Sequence, residues 1–121
     1  MTPAALRRAC LAMPGAAEEF PFGPENSVFK VSGKIFAISP LRRSRPLRIS
    51  LKCEPGLAEQ LRASHAAITP GYHLNKRHWN TIVLDGSLSD ATVRDMIEDS
   101  YDLILAALPK ATQRALDWTG A

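Results

Sequence analysis

The segment NSVFKVSGKIFAIS, residues 26–39, limits the folds open to this chain more than any other feature. Two short runs rich in Val, Ile and Phe flank Ser32-Gly33, and glycine accepts the positive φ that a tight hairpin turn demands. The theme returns in LRISLKC, where Leu47, Ile49 and Leu51 alternate with Arg48, Ser50 and Lys52. That alternation predicts a strand with one buried and one solvated face. A further strand is expected from His78 to Leu84, ended by Asp85-Gly86.

Helical spacing brackets these strands. Leu6, Ala9, Cys10 and Met13 recur at helical intervals with Arg7 and Arg8 outside, until Pro14-Gly15 stops the pattern. Pro55 opens a short second helix through Leu57, Ala58 and Leu61. The strongest helix follows Ser87 or Ser89 as cap, with an apolar stripe of Val93, Met96, Ile97, Tyr101, Ile104, Leu105 and Leu108, and Asp90 and Asp95 favour its amino-terminal half. Pro109 ends or kinks it, and Leu116 and Trp118 are expected to dock a last short turn on the body. In EEFPFGPE the prolines and glycine exclude regular structure. Phe20 and Phe22 are expected to fold onto the core, and Glu18 and Glu19 to cap or solvate the end of the first helix. The class is α+β: an antiparallel sheet of about four to five strands with N- and C-terminal helices on one face, leaving the other face to Lys30, Arg48 and Lys52.

A chain of 121 residues, 45 % of them apolar, suits one domain spanning residues 1–121. No apolar run approaches the roughly 18 residues of a membrane span. Cys10 and Cys53 show neither C-x-x-C nor metal spacing, so they are read as reduced packing residues of a cytoplasmic, monomeric protein. The net charge of +3 conceals an asymmetry. Between Asn26 and Leu84 ten Lys/Arg face two acids, giving +8, whereas from Asp85 onward three bases face seven acids, giving −4. A basic middle of this kind attracts a polyanion, a phosphorylated ligand or an acidic partner.

Reactive side chains concentrate in PGYHLNKRHWN, residues 70–80. The spacing of His73 and His78 fits no zinc pattern, and neither a nucleophile elbow nor a phosphate loop occurs, so the reading includes no metal, no cofactor and no catalytic residue. Two alternatives remain for Tyr72, His73, Asn75, Lys76, His78 and Asn80. They line a pocket for a small anionic ligand or a protein partner, or they form a hydrogen-bonding knot that fixes a long loop. The second basic cluster, LRRSRPLR, sets Arg42, Arg43, Arg45 and Arg48 at a hairpin tip, where guanidinium groups can straddle phosphates or keep an edge strand soluble. Trp79, beside Lys76 and Arg77, either stacks on a base or packs in the core.

The strings VFKVSGKIFA, RISLKCEPGLAEQLR, TPGYHLNKRHWNTIVLDGSL and IEDSYDLILAALPK closely resemble the MmcQ/YjbR family of small bacterial proteins, over roughly Leu6 to Lys110. The resemblance implies a fold similar to the frataxin-like CyaY type and a DNA-binding role through two hairpin wings. By position, one wing carries Arg42, Arg43, Arg45 and Arg48, and the other Asn75, Lys76, Arg77, His78 and Trp79. Frataxin-like iron handling is disfavoured, because the first helix and strands here carry bases where those proteins carry carboxylates. The expectation is a non-enzymatic DNA-binding protein whose cationic hairpin tips lie side by side on one open flank.

Overall fold

The computed structural model describes residues 1–42 and 45–118, so the expectation placed on Arg43 lies outside the described residues. Helix α1 spans Pro3–Leu11, its amino end capped by the Thr2 hydroxyl, which accepts from the Ala5 amide at 3.1 Å. Strands β1 (Ala16–Glu19), β2 (Ser27–Val31), β3 (Lys34–Ser39) and β4 (Arg48–Lys52) follow, then helix α2 (Pro55–Ser64). Strands β5 (Ile68–Pro70) and β6 (Trp79–Val83) precede the long helix α3 (Asp90–Ala106) and the short α4 (Lys110–Ala115). The strands form one antiparallel sheet of order β1-β2-β3-β4-β6-β5.

The sheet has six strands where four to five were expected, and both additions are edges. β1 is built from Ala-Ala-Glu-Glu, a sequence of low strand propensity, and forms because it docks on β2 with Ala16 opposite Val31. Its acids therefore do not cap the first helix. Glu18 accepts from Arg7 Nε at 2.8 Å on the helical side, and Glu19 pairs with Lys30 at 3.2 Å on the other. β5 is three residues long and ends in Pro70, a residue tolerated only at an edge.

The helices cover one face, as the patterning indicated. Leu6 and Cys10 of α1 and Val93, Ile97, Tyr101, Ile104 and Leu105 of α3 meet Phe29, Val31, Phe36, Ile49, Leu51 and Ile82 of the sheet in a single core. Ser89 caps α3 by accepting from the Thr92 amide, and Gln113 of α4 donates to the Leu105 and Leu108 carbonyls at the other end. Trp118 donates its indole N–H to Asp102 at 3.1 Å, docking the last turn. On α2 Ala58 takes the buried position and Leu57 is exposed. One expectation fails: Phe20 and Phe22 stay outside the core at 42 % and 61 % exposure. The Arg42 guanidinium lies 5.9 Å from the Phe20 ring centre instead.

Candidate nucleic-acid interface

Strand alternation fixes what the face turned from the helices presents. Ile49, Leu51, Asn80 and Ile82 point to the helices, so Arg48, Ser50 and Lys52 of β4 and Trp79, Thr81 and Val83 of β6 point away. The pairs Arg48↔Val83, Ser50↔Thr81 and Lys52↔Trp79 lie directly across from each other. At the centre the Ser50 and Thr81 hydroxyls bond at 2.8 Å. Arg48 and Lys52 stand about 13 Å apart on one strand face, at 3.3 Å per residue. On β2 the outer positions are Val28, fully buried, and Lys30, tied to Glu19. No ion pair among the described residues engages Arg42, Arg45, Arg48, Lys52 or Arg77.

The two basic hairpin tips do not lie side by side. β4 and β6 run antiparallel, so the β3–β4 connection with Arg42 and Arg45 meets the Arg48 end of β4, whereas the β5–β6 connection meets its Lys52 end. The β2–β3 turn, Ser32-Gly33 with Lys34 beyond it, shares the Lys52 end. Both central residues of that turn have positive φ, Gly33 as the sequence required and Ser32 as well. The cations thus form a track along β4 with a cluster at each end.

The β5–β6 connection is a hydrogen-bonded knot. Gly71 donates its amide to the Trp79 carbonyl at 2.8 Å, and a side chain at Gly71 would meet Trp79 Cβ at 2.7 Å, so only glycine permits this approach. The chain then crosses the outer face, where the Tyr72 amide donates to Thr81 Oγ1 at 3.0 Å. Lys76 Nζ donates back to the Gly71 carbonyl at 2.9 Å, and Asn75 Oδ1 accepts from the Arg77 amide at 3.0 Å. From the helical side Arg62 Nη1 reaches the Lys76 carbonyl at 2.6 Å. Asn80, 2 % exposed, points inward and donates to the Ala58 carbonyl, with Arg62 near its Oδ1 at 3.4 Å.

The candidate residues therefore divide by task. Asn80 spends its side chain inside the fold, Asn75 and Lys76 are exposed but tied to backbone groups of their own loop, and Tyr72, His73 and Arg77 face out. Tyr72 and Asn80 sit on opposite faces of the sheet, so the six residues expected to line a pocket are not gathered in one concavity. His78 is half-buried and its carbonyl accepts from the Cys53 amide at 2.8 Å. Trp79 is half-buried on the outer face and not in the core. A cleft of about 340 Å³ includes His65, Asp85 and Ser87, and a smaller one between α2 and α3 is lined by Leu51, Cys53 and Met96 and, of the six candidates, by Asn80 alone.

Acidic groups concentrate on α3. Asp95, Asp99 and Asp102 follow one another along α3, and the Asp99 carboxyl is pushed above the usual range by burial and by Asp102 and Asp95. The four helices together carry six bases, Arg7, Arg8, Arg62, Arg94, Lys110 and Arg114, against six acids, so the negative charge belongs to α3 alone. Cys10, buried beneath α1, has its thiol pushed up to about 12 by burial and by Glu18. It is a packing residue, as read from the sequence.

Comparison with known proteins agrees with this architecture. The YjbR family model matches residues 11–103. YbdF of Escherichia coli O157:H7 is 39 % identical over 108 residues, which are 89 % of this chain and 88 % of that protein. YjbR of E. coli K12 is 37 % identical over 116 residues, 96 % and 98 % of the two chains. The crystal structure of Deinococcus radiodurans DR2400, with a DUF419 domain, superposes with a TM-score of 0.91 at 36 % identity, covering 99 % of this chain and 91 % of that one. A Pseudomonas syringae protein superposes with a TM-score of 0.73 at 28 % identity over 85 % of this chain and 98 % of its own. With the family's model spanning most of its length and relatives above a third identical end to end, this chain belongs to the YjbR family.

Proposed function

We propose that the chain is a non-enzymatic nucleic-acid-binding module that holds phosphates along the outer face of its sheet. The observation that carries this reading is that Arg48 and Lys52 share the outer face of β4 with no carboxylate partner among the described residues, whereas the α3 carboxylates lie behind the core. Arg42 and Arg45 extend the track at one end and Arg77 and Lys34 at the other. Lys76, tied to the Gly71 carbonyl, contributes less than its position in the sequence suggests. Contacts of this kind neutralise phosphates and release counterions, so affinity is salt-dependent and weakly selective for sequence.

Titration with duplex DNA at two salt concentrations tests the reading. Replacing Arg48 and Lys52 together by alanine is expected to weaken binding to all sequences alike and to flatten the log K against log salt slope by about 2, given about 0.9 per neutralised phosphate. Absence of binding at low salt, or binding indifferent to salt, overturns it.

A further inference from the structure

We infer that the strand this face prefers is unpaired, its bases stacking on aromatic rings held at the two ends of the β4 track; this rests on the polyanion reading above. In the connection at the Lys52 end, Tyr72 is 71 % exposed. Its amide is fixed to Thr81 Oγ1, and the carbonyl of the preceding Gly71 is fixed to Lys76 Nζ. His73 lies against one face of the Tyr72 ring, with ring centres 4.0 Å apart and planes at 52°, and adopts φ of 57°. A left-handed backbone at a non-glycine residue is uncommon and carries strain of order 1 kcal/mol. The local structure thus supports the ring from behind and leaves its other face to solvent. Lys52 and Arg77 lie at the same end of the sheet as this connection.

At the Arg48 end Phe20 and Phe22 are also exposed, in a segment stiffened by Pro21 and Pro24, with the Arg42 guanidinium over Phe20. Single exposed apolar residues are ordinary on protein surfaces. Here the large exposed aromatic rings among the described residues fall at the two ends of one unpaired cationic track. A duplex hides its base faces within the stack and offers these rings only backbone. An unpaired strand offers π-faces that aromatic side chains stack on whatever the sequence, while the cations follow its phosphates.

The test compares three labelled probes at low salt by fluorescence anisotropy with the full chain: a dT 15-mer, an abasic 15-mer with the same backbone, and a duplex of equal length. The dT 15-mer is expected to bind at least tenfold more tightly than the abasic strand. Tyr72→Ala and Phe22→Ala should each lower dT affinity about five-fold or more, the lower end of a stacking contact, and leave abasic binding unchanged. Tyr72→Phe should keep dT binding, since stacking needs the ring and not the hydroxyl. Equal affinity for dT and abasic strands, or no effect of Tyr72→Ala, overturns the inference and leaves the polyanion reading standing. Failure of all three probes to bind overturns both.

Discussion

Replacing Ser100 by alanine probes how β4, the strand that bears Arg48 and Lys52, is kept in place. Ser100 is fully buried on α3. Its hydroxyl donates to the Phe36 carbonyl at 2.6 Å and accepts from the Lys52 amide at 2.9 Å. Those two backbone groups belong to neighbouring strands, β3 and β4, whose pairing is confined to Ala37↔Leu51 and Ile38↔Ser50. The β2–β3 register slips between Phe29 and Lys30, so Phe36 is the extra residue of β3, and the helix supplies the bridge that the ladder lacks. Alanine leaves a buried acceptor and a buried donor without partners. At about 1–3 kcal/mol for each unsatisfied group, partial relaxation included, we expect a loss of roughly 2–4 kcal/mol.

Direct closure of β3 on β4 would reduce that loss to about 1 kcal/mol, the net worth of an ordinary hydrogen bond. Closure is opposed by packing, because Phe36 is fully buried with its ring edge-on to Tyr101 at 5.4 Å. Urea unfolding followed by tryptophan fluorescence measures the difference, with an unchanged m-value as the check that only stability has moved. Ser89→Ala is the internal standard: it removes an exposed cap of the same helix and should cost about 1 kcal/mol. The Lys52 amide should also lose hydrogen-exchange protection in Ser100→Ala and keep it in Ser89→Ala. A Ser100→Ala loss no larger than that of Ser89→Ala, with Lys52 still protected, would refute the bridging role.

Two further predictions concern titratable groups. Asp99 has a raised carboxyl pKa through burial and the nearby Asp102 and Asp95, so its contribution is fully present below the ordinary aspartate range and is lost as pH rises through the folded value. Asp99→Asn should therefore raise the melting temperature at pH 7, with the gain vanishing at about pH 3, below the ordinary aspartate value; a destabilised variant at pH 7 contradicts this. For the cysteines, burial shields Cys10 and raises its thiol to about 12, whereas Cys53 is half-buried and raised by burial, Asp99 and Glu54. A disulfide reagent at pH 8 should modify Cys53 slowly and Cys10 only after denaturation, and prompt reaction of both thiols would sink the assignment.

Much of the fold was legible because the decisive signals are local. The alternation in Leu47–Lys52, the Ser32-Gly33 turn and the α3 stripe each report a period, and the structure follows them. β1 and β5 escaped notice because neither has a period to read: Ala-Ala-Glu-Glu and Ile-Thr-Pro become strands only when a neighbour offers an edge. Ser100 was missed although a signal existed, since a serine between Ile97 and Ile104 on a helical stripe is a polar group bound for the core. The placement of the basic loops was also open to deduction. Once β4 and β6 are antiparallel neighbours, the loop that precedes one and the loop that precedes the other must lie at opposite ends.

The PGYHLNKRHWN segment shows why its residue types could not decide between a knot and a gripping surface: the two roles are parts of one construction. A long edge connection has backbone groups that no ladder satisfies, and the Asn, Lys and Arg side chains here meet them, from Asn75 and Lys76 within the loop and from Arg62 on α2. Each bond made inward fixes the backbone from which Tyr72, His73 and Arg77 project, so rigidity and display come from the same hydrogen bonds. Ordering costs are then met during folding and not during binding, which is the condition under which an exposed ring adds affinity instead of losing it to side-chain and loop entropy. Sequence composition counts the groups present, and only the backbone direction on either side of Gly71 and Thr81 separates those turned inward from those turned out.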